Sequence, residues 1–262
     1  MGDFTILINS CYKFSDMWNN IDVLYNRFWV NHPALYIVTD KNDVKKNIDN
    51  LLCFDLEMTN RIIESIKTIK TKYVFFSFDD YYPIKEVNDN AIRELISIME
   101  EQNIDYCRIF DDPKIKGKKI GELGYSFLSL NRIYEVNFYP SIWKKESLLS
   151  VLKENEEIWK AEARITKRAK EQNLKCICVK QKKIFPFIDV VRKGKYLRNA
   201  YRYLKKSKLY ISDRDIRTIR ETIALDTQIF VSNHAPMWLK NRIKNRLRRK
   251  GKVFYSDYEN NE

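Results

Sequence analysis

Two adjacent carboxylates at the end of an apolar run are the first residues here whose types could do chemistry. Asp79 and Asp80 directly follow Tyr73–Phe78, an aromatic, β-compatible run that is long enough for one buried strand. Residues 81–83 then turn the chain. Ligands of open α/β sheets bind outside the carboxyl ends of the parallel strands, so the pair stands where such a site would form. The alternative is a turn whose acidic residues only cap the strand.

Strands and helices alternate along the first 110 residues, and this alternation would position the pair. Further strands are predicted at Phe4–Ile8, Ala34–Val38 and Asp105–Phe110. Apolar residues at helical spacing separate the strands, at 16–28, 59–69 and 91–99. Such alternation is typical of a parallel sheet with crossover helices. We therefore predict an α/β fold with Asp79 and Asp80 at the carboxyl edge of its sheet.

Beyond residue 110 the pattern is less regular. Strands are predicted at 123–130, 133–138 and 175–180, and helices at 140–152, which would carry Trp143, and at 156–173. Apolar residues then recur at helical spacing from Leu197 to Leu204 and from Leu239 to Leu247, among many lysines and arginines. We expect an α/β domain over residues 1–190 and a basic helical C-terminal extension over residues 191–262.

The net charge of +13 is concentrated in two short segments. Arg192–Lys208 and Met237–Lys252 each carry eight Lys or Arg residues and no acid. Without these 16, 32 basic residues remain against 35 acids, a net charge of −3. This distribution predicts an anionic partner at one end of the molecule.

Two kinds of partner fit the last basic segment. On an anionic membrane, four apolar residues would enter the interface while cations meet the headgroups; these are Trp238, Leu239, Ile243 and Leu247, with Lys240, Arg242, Arg246 and Arg248. The other partner is a nucleic acid, since runs of Lys and Arg bind any polyanion. No nucleic-acid-binding motif is found in the sequence, so the membrane surface is favoured.

Several classes of protein are disfavoured by what the sequence lacks. The five scattered cysteines form no CxxC pair, and two histidines leave little scope for a zinc site or a Ser-His triad. No GxGxxG, GxxxxGK[ST] or GxSxG motif occurs. The first residues lack the features of a signal peptide, and no apolar stretch approaches the length of a membrane span. We expect a reduced, cytosolic chain whose chemistry depends on carboxylates, aromatic rings and cations, the set that sugar chemistry uses.

Four segments, in order along residues 5–200, carry a resemblance to a known family. They are TILINSCYKFSDMW, YVFFSFDDYYPIKEV, FYPSIWKKESLLSVL with EEIWKAEAR, and VVRKGKYLRNA. Together they resemble the small bacterial glycosyltransferases of the GT-A type, many of them encoded in capsule or lipopolysaccharide gene clusters. The second segment is similar to the DDYF motif of that family. The resemblance implies a GT-A-like, Rossmann-like fold with a mostly parallel central sheet flanked by helices.

The resemblance also implies roles for the acidic residues. Asp79 and Asp80 would meet the nucleotide-sugar, directly or through Mg²⁺ or Mn²⁺, which would stabilise the departing diphosphate. The pair is DD rather than the DxD of many such enzymes, which leaves two alternatives open. The two carboxylates either bind a metal ion or meet the nucleotide-sugar without one. Glu162, in the Trp159-x-x-Glu162 match, would be the general base of an inverting displacement. Its alternative is a solvated carboxylate on a charged helix.

Further residues follow from the same resemblance. Asn9, Ser10 and Cys11 would line the nucleotide pocket. Arg61 would contact the diphosphate or be a plain surface arginine, and Lys193 and Lys195 would clamp the diphosphate or lie in a solvated turn. Either of two tryptophans, Trp143 and Trp159, would face the acceptor sugar or lie in the core.

These implications combine into one functional hypothesis. The chain would transfer a hexosyl or related sugar from a nucleotide-sugar, UDP-linked by expectation, to a lipid-linked oligosaccharide acceptor. It would act in bacterial surface polysaccharide synthesis, in the cytoplasm and peripherally on the inner face of the membrane. The alternative is a non-catalytic basic protein that binds nucleic acid or anionic membrane through its C-terminal helices.

Overall fold

The described residues form one large sheet and two small two-stranded sheets. The computed structural model describes residues 4–42, 50–110, 115, 119–179 and 184–258. The strands are β1 (Phe4–Asn9), β2 (Leu35–Thr39), β3 (Leu51–Cys53), β4 (Tyr73–Phe78), β5 (Tyr81–Pro83), β6 (Tyr106–Arg108), β7 (Ser126–Phe127), β8 (Ser141–Lys144), β9 (Cys176–Cys178), β10 (Phe187–Asp189), β11 (Val191–Arg192) and β12 (Lys195–Tyr196).

The described helices lie between these strands and after them. They are α1 (Trp18–Phe28), α2 (Met58–Thr68), α3 (Asp89–Glu101), α4 (Lys145–Val151), α5 (Ile158–Glu171), α6 (Arg198–Lys206), α7 (Ile219–His234) and α8 (Met237–Arg248). Two 3₁₀ turns cover Tyr12–Met17 and Tyr255–Tyr258.

The large sheet has eight strands in the order β3-β2-β1-β4-β8-β6-β9-β7. Strands β1 to β4 are mutually parallel, and β6 pairs in parallel with β9. Only β8, between β4 and β6, and β7, at the edge, run the other way. The sheet is therefore mostly parallel, with crossover helices between its first strands, as the sequence predicts.

Both faces of the sheet are buried, which explains the continuous apolar runs of the central strands. Alternate residues of β4 point to opposite faces: Phe75 packs with α1 and α3 on one side, and Phe76 packs with α2 and α5 on the other. All six residues of β1 are buried. Because the interior strands cannot shift without exposing one of these two cores, the positions of their carboxyl ends are fixed.

The segment before β8 differs from the prediction. Among residues 123–138 only Ser126–Phe127 form a strand, and the predicted strand at 133–138 is absent from this described part of the chain. Here a side chain, not a neighbouring strand, satisfies the backbone. The Thr166 hydroxyl accepts from the N–H of Val136 and donates to its C=O, each at 3.0 Å. Trp143 lies on β8 rather than on a helix, and α4 begins only at Lys145. The helical spacing of α4 therefore does not extend back to residue 140.

Packing against the main core continues past residue 190, where the sequence predicts the end of the α/β domain. The hairpin β11–β12 and α6 bury Tyr196, Ala200 and Leu204 in the same core as α1 and α3. The many cations of this segment do not prevent burial, because α6 turns its apolar residues inward and leaves its charged ones outside. The described core therefore includes α6, and the predicted domain bounds of 1–190 and 191–262 stay a prediction.

The last two helices are different. None of the described side chains of α7 or α8 is buried. Among the described helices, none combines the length and apolar character that crossing a bilayer requires.

Candidate active site

The carboxyl ends of β1 and β4 form the centre of the candidate site. These strands are parallel neighbours, with Asn9 opposite Phe78. The N–H of Asp79 donates to the Asn9 carbonyl at 3.2 Å, which continues the pairing by one residue. The structure thus brings the loop at Asn9 and Ser10 directly beside Asp79, although about 70 residues of chain separate them.

Ser10 links this loop to the carboxylate. Its hydroxyl donates to Oδ2 of Asp79 and accepts a 2.7 Å hydrogen bond from Nε1 of Trp18. All three side chains are buried. Burial raises the pKa of Asp79 to about 7, although the Ser10 hydrogen bond and the charge of Arg214 act in the opposite direction. Asp79 therefore changes between its neutral and its ionised form near neutral pH.

Arg61 supports the same loop from α2. It is buried, so the alternative of a plain surface arginine is wrong. Its Nη2 donates to the Ser10 carbonyl at 3.0 Å, and its Nη1 donates to the Leu56 carbonyl at 2.9 Å. These bonds fix the backbone that follows β1. Contact with a diphosphate stays a prediction.

Asp40 adds a carboxylate at the end of β2 that the sequence analysis gave no role. Its Oδ1 accepts a 2.6 Å hydrogen bond from the N–H of Tyr12. Cys11 lies between the two acidic positions: burial, followed by the charges of Asp79 and Asp40, raises the pKa of its thiol. Cys11 is therefore a neutral, partly buried side chain in this pocket, not a thiolate nucleophile.

Asp80 faces a second acidic residue, Asp189, which sequence reasoning missed. Strands β5 and β10 pair antiparallel with Tyr81 opposite Asp189, and the N–H of Val190 donates to the Asp80 carbonyl at 2.8 Å. One oxygen of each carboxylate, Oδ1, is buried and has no hydrogen-bond partner among the described residues. Burial, followed by the charges of Asp189 and Asp79, raises the pKa of Asp80 well above its usual range.

Arg192 partly balances this acidic pair. Its Nη2 lies 2.7 Å from Oδ2 of Asp189, and its Nε donates to the same oxygen at 2.9 Å. The only sequence signal for Asp189 is its position after the apolar residues 184–188, the same kind of signal that marks Asp79. No local pattern in the sequence indicates that these residues meet Asp80.

A divalent ion fits this arrangement only with help from a ligand. The described residues include no group of three or more His, Cys, Asp or Glu that could hold a metal ion. Mg²⁺, however, is commonly held by one or two carboxylates, with phosphate oxygens and waters completing the shell. The unpartnered Oδ1 of Asp80 is suited to such a bond. Asp79 and Asp80 therefore fit an ion that arrives with a diphosphate.

Glu162 is linked to this acidic pair through the charge of Arg192. It projects from α5, is partly buried, and its Oε1 accepts a 3.2 Å hydrogen bond from the N–H of Phe138. Burial raises the pKa of Glu162 to about 7, while that N–H and the charge of Arg192 lower it. Arg192 acts in the same direction on Asp80. The fully solvated alternative is therefore wrong, and one guanidinium acts on both acidic groups.

Lys193 and Lys195 lie on the β11–β12 hairpin that carries Arg192. Lys193 and Gly194 form its two-residue turn, with φ values of 55° and 74°, as a type I′ turn requires at both positions. The side chain of Lys193 is exposed at the tip. Nζ of Lys195 lies 3.0 Å from Oε1 of Glu221, so Lys195 holds α7 to the hairpin. The diphosphate role of both lysines stays a prediction.

Aromatic side chains other than the two predicted tryptophans pack beside the acidic pair. Trp143 is fully buried and packs against the ring of Tyr106 at a tilt, so the core alternative is right for this residue. Trp159 is 53% exposed and its ring lies 6.3 Å from that of Tyr255. Three other rings pack together beside Asp189 and Arg192, with centroids 5.3 to 6.0 Å apart: Tyr81, Phe110 and Tyr139.

Known proteins resemble this chain in structure but not in sequence. No protein-family model and no curated protein sequence matches the chain. Its structure is similar to the crystal structure of S. aureus TarS, with a TM-score of 0.50 and 13% identity, over 89% of this chain and 44% of that chain. It is also similar to residues 1–349 of S. aureus TarS in complex with UDP-GlcNAc, with a TM-score of 0.50 and 15% identity, over 88% of this chain and 73% of that chain.

This chain therefore spans less than half the length of the full TarS chain. A third structure, CMP:2-keto-3-deoxy-manno-octonic acid synthetase complexed with CTP, gives a TM-score of 0.48 at 11% identity, over 79% of this chain and all of that one, too low for an argument. At such identities the likeness shows the fold alone. It confirms the GT-A-like α/β fold, with its mostly parallel sheet flanked by helices, that the sequence resemblance implies.

Proposed function

We propose that this protein is a glycosyltransferase that moves a sugar from a nucleotide-sugar donor to a saccharide acceptor. The observation that carries the proposal is the position of Asp79 and Asp80 at the carboxyl edge of a GT-A-like sheet, with Arg192, which pairs with Asp189, acting on both Asp80 and Glu162. Ligands of open α/β sheets bind at this edge. In this proposal the donor is UDP-linked, and the similar structure crystallised with UDP-GlcNAc supports that choice.

The residues at the end of β1 and β4 form the donor side. Asn9, Ser10 and Cys11 line the nucleotide pocket, and Arg61 holds their backbone in place. Asp79 and Asp80 face the diphosphate and hold Mg²⁺ or Mn²⁺ when the donor brings it. The ion, when bound, supplies positive charge that stabilises the departing diphosphate. Lys193 and Lys195 add positive charge at the adjacent hairpin.

Glu162 is the general base in this proposal. It removes the proton of the acceptor hydroxyl as that oxygen bonds to the anomeric carbon and the bond to the diphosphate breaks. A pKa of about 7 suits the role, since a base works best when its pKa lies near the operating pH. One displacement of this kind inverts the anomeric centre. The acceptor is a lipid-linked oligosaccharide of bacterial capsule or lipopolysaccharide synthesis, used at the cytoplasmic face of the membrane.

Thermal stabilisation by UDP tests the donor site. A ligand that binds only the folded state raises the melting temperature. UDP with Mn²⁺ should therefore stabilise the full chain, and Asp80→Ala should remove the effect. Asp213→Ala, at an exposed aspartate, is the matched control and should keep it. If no nucleotide stabilises the wild type, with or without Mn²⁺, the proposal is wrong. Release of UDP from a panel of UDP-sugars then identifies the donor.

A further inference from the structure

The helix α7 exposes a row of large apolar side chains. Ile219, Ile223 and Phe230 are 61%, 60% and 63% exposed. At 100° per residue they lie within about 40° of one another around the helix, so they form one stripe. The ring of His234 stacks on that of Phe230, with centroids 4.6 Å apart, and so extends the apolar stripe by one turn. Exposed apolar patches of this kind mark docking surfaces.

The helix α8 follows after two residues and adds strong positive charge. Residues 237–252 carry eight Lys or Arg and no acid, and Trp238 is 65% exposed. Lys244 and Arg248 pair with Asp257, which leaves other cations of the helix to solvent. Arg242 and Arg246 are exposed, and within the described chain neither makes an ion pair. An exposed tryptophan beside unpaired arginines is a combination suited to a headgroup layer.

Both helices are tied to elements of the candidate site. The start of α7 is held by the Lys195–Glu221 ion pair and by Arg217, whose Nη2 donates to the Arg192 carbonyl at 2.9 Å. The 3₁₀ turn that follows α8, Tyr255–Tyr258, packs on α5, where Tyr255 meets Trp159. One helix is therefore attached beside Arg192, and the other is attached to the helix that carries Glu162.

The apolar stripe of α7 and the cations of α8 together favour one kind of binding partner. A second copy of the chain would bring the same unneutralised cations of α8 against their own kind, which opposes a symmetric dimer. A nucleic acid satisfies the cations but offers no apolar environment to Phe230 or Ile223. An anionic bilayer provides both lipid phosphates and an apolar layer just beneath them.

We propose that α7 and α8 form a docking surface for an anionic phospholipid bilayer. The apolar stripe of α7 and the indole of Trp238 enter the boundary between headgroups and acyl chains, while Arg242 and Arg246 bind lipid phosphates. Docking holds the Glu162 side of the protein at the bilayer surface. That last consequence rests on the proposed function, whereas bilayer binding itself does not.

Vesicle co-sedimentation with the full chain tests the proposal. Wild type should bind vesicles of 30% phosphatidylglycerol in phosphatidylcholine but not vesicles of phosphatidylcholine alone. Phe230→Glu should weaken binding by roughly tenfold or more, because a buried Phe side chain contributes at least about one decade of affinity. Gln228→Glu adds the same charge to an exposed position about 180° from Ile219 on α7, and it should bind within about twofold of wild type.

Three results would overturn the proposal. Equal binding to both vesicle types would exclude the electrostatic part, and equal weakening by the two glutamate variants would exclude the stripe. A stable dimer that Phe230→Glu dissociates would make the stripe a contact between copies, and tight binding to DNA that outcompetes the vesicles would make α8 a nucleic-acid site. UDP stabilisation of the wild type is measured in parallel, so failure of the donor site and failure of bilayer docking are distinguished.

Discussion

The N–H of Val190 donates a 2.8 Å hydrogen bond to the carbonyl oxygen of Asp80. This bond joins the end of β4 to the strand that leads into the Arg192 hairpin. It brings Asp189 opposite Tyr81 and the two unpartnered carboxylate oxygens into the same buried region. Asp80 and Asp189, which are 109 positions apart in the sequence, therefore form one electrostatic unit.

Asp80→Asn should increase stability while it removes donor binding. The substitution keeps the shape of the side chain and removes a group whose ionisation burial, Asp189 and Asp79 all oppose. We expect a melting temperature at pH 8 above that of the wild type, together with loss of the UDP–Mn²⁺ shift. Thermal melts with and without nucleotide measure both. A variant that is less stable than the wild type at pH 8 would contradict the account of Asp80 as a strained carboxylate.

The stability of the wild type should fall as the pH rises from about 4 to about 7. In this range the folded protein keeps a proton on Asp79, whose pKa is raised to about 7, while the unfolded chain, with the ordinary value near 3.8, has released it. The folded state then binds more protons, so rising pH favours unfolding. Asp79→Asn should flatten this dependence, as urea denaturation across the pH range will show. Equal slopes for the two proteins would contradict it.

Glu162→Gln should reduce sugar transfer by about 10²- to 10⁴-fold, the usual contribution of a general base. The amide can still accept the hydrogen bond from Phe138, so the fold and UDP binding should remain. Steady-state assays and UDP thermal shifts measure the two effects separately. Glu171→Gln, at the exposed end of the same helix, is the control. A Glu162→Gln enzyme with wild-type turnover would remove this residue from the role of base.

Arg192→Gln should shift the pH profile of transfer to higher pH. The guanidinium lowers the pKa of Glu162, so its removal raises that pKa, and the base is then deprotonated only at higher pH. The acidic limb of kcat against pH reports the change. Arg202→Gln, at an exposed position of α6, should leave the profile in place. An unchanged limb in Arg192→Gln would show that the two side chains are not coupled.

The first half of the fold is predictable because its signals are local. β1, α1, β2, α2 and β4 each show their own apolar period, and parallel order follows from their alternation. The same strand and helix order is enough to predict that Asp79 and Asp80 lie at the carboxyl edge of the sheet. β8 could not be predicted in the same way. Its residues, Ser141–Lys144, directly precede a helix, and the helical pattern of Leu148 and Val151 suggests a longer helix than the chain forms.

The acidic partner of the site was missed for a different reason. Asp189 meets Asp80 through an antiparallel pairing between β5 and β10, each only three residues long. Such short strands carry almost no periodic signal, and the pairing spans more than 100 residues. Charge composition also gives no sign that core packing continues into α6. It marks the Lys- and Arg-rich segment from residue 192, whereas burial depends on the few apolar residues of α6 that face inward.

The Ser10 hydroxyl, shared by Asp79 and Trp18, has an optical consequence. The indole N–H of a fully buried tryptophan is one hydrogen-bonded oxygen away from a carboxylate at the donor side. A change in the charge of that carboxylate, when a proton leaves or a cation binds, alters the field along the indole. Trp18 is thus an intrinsic fluorophore next to Asp79, and under the proposed function its emission should change when the donor binds.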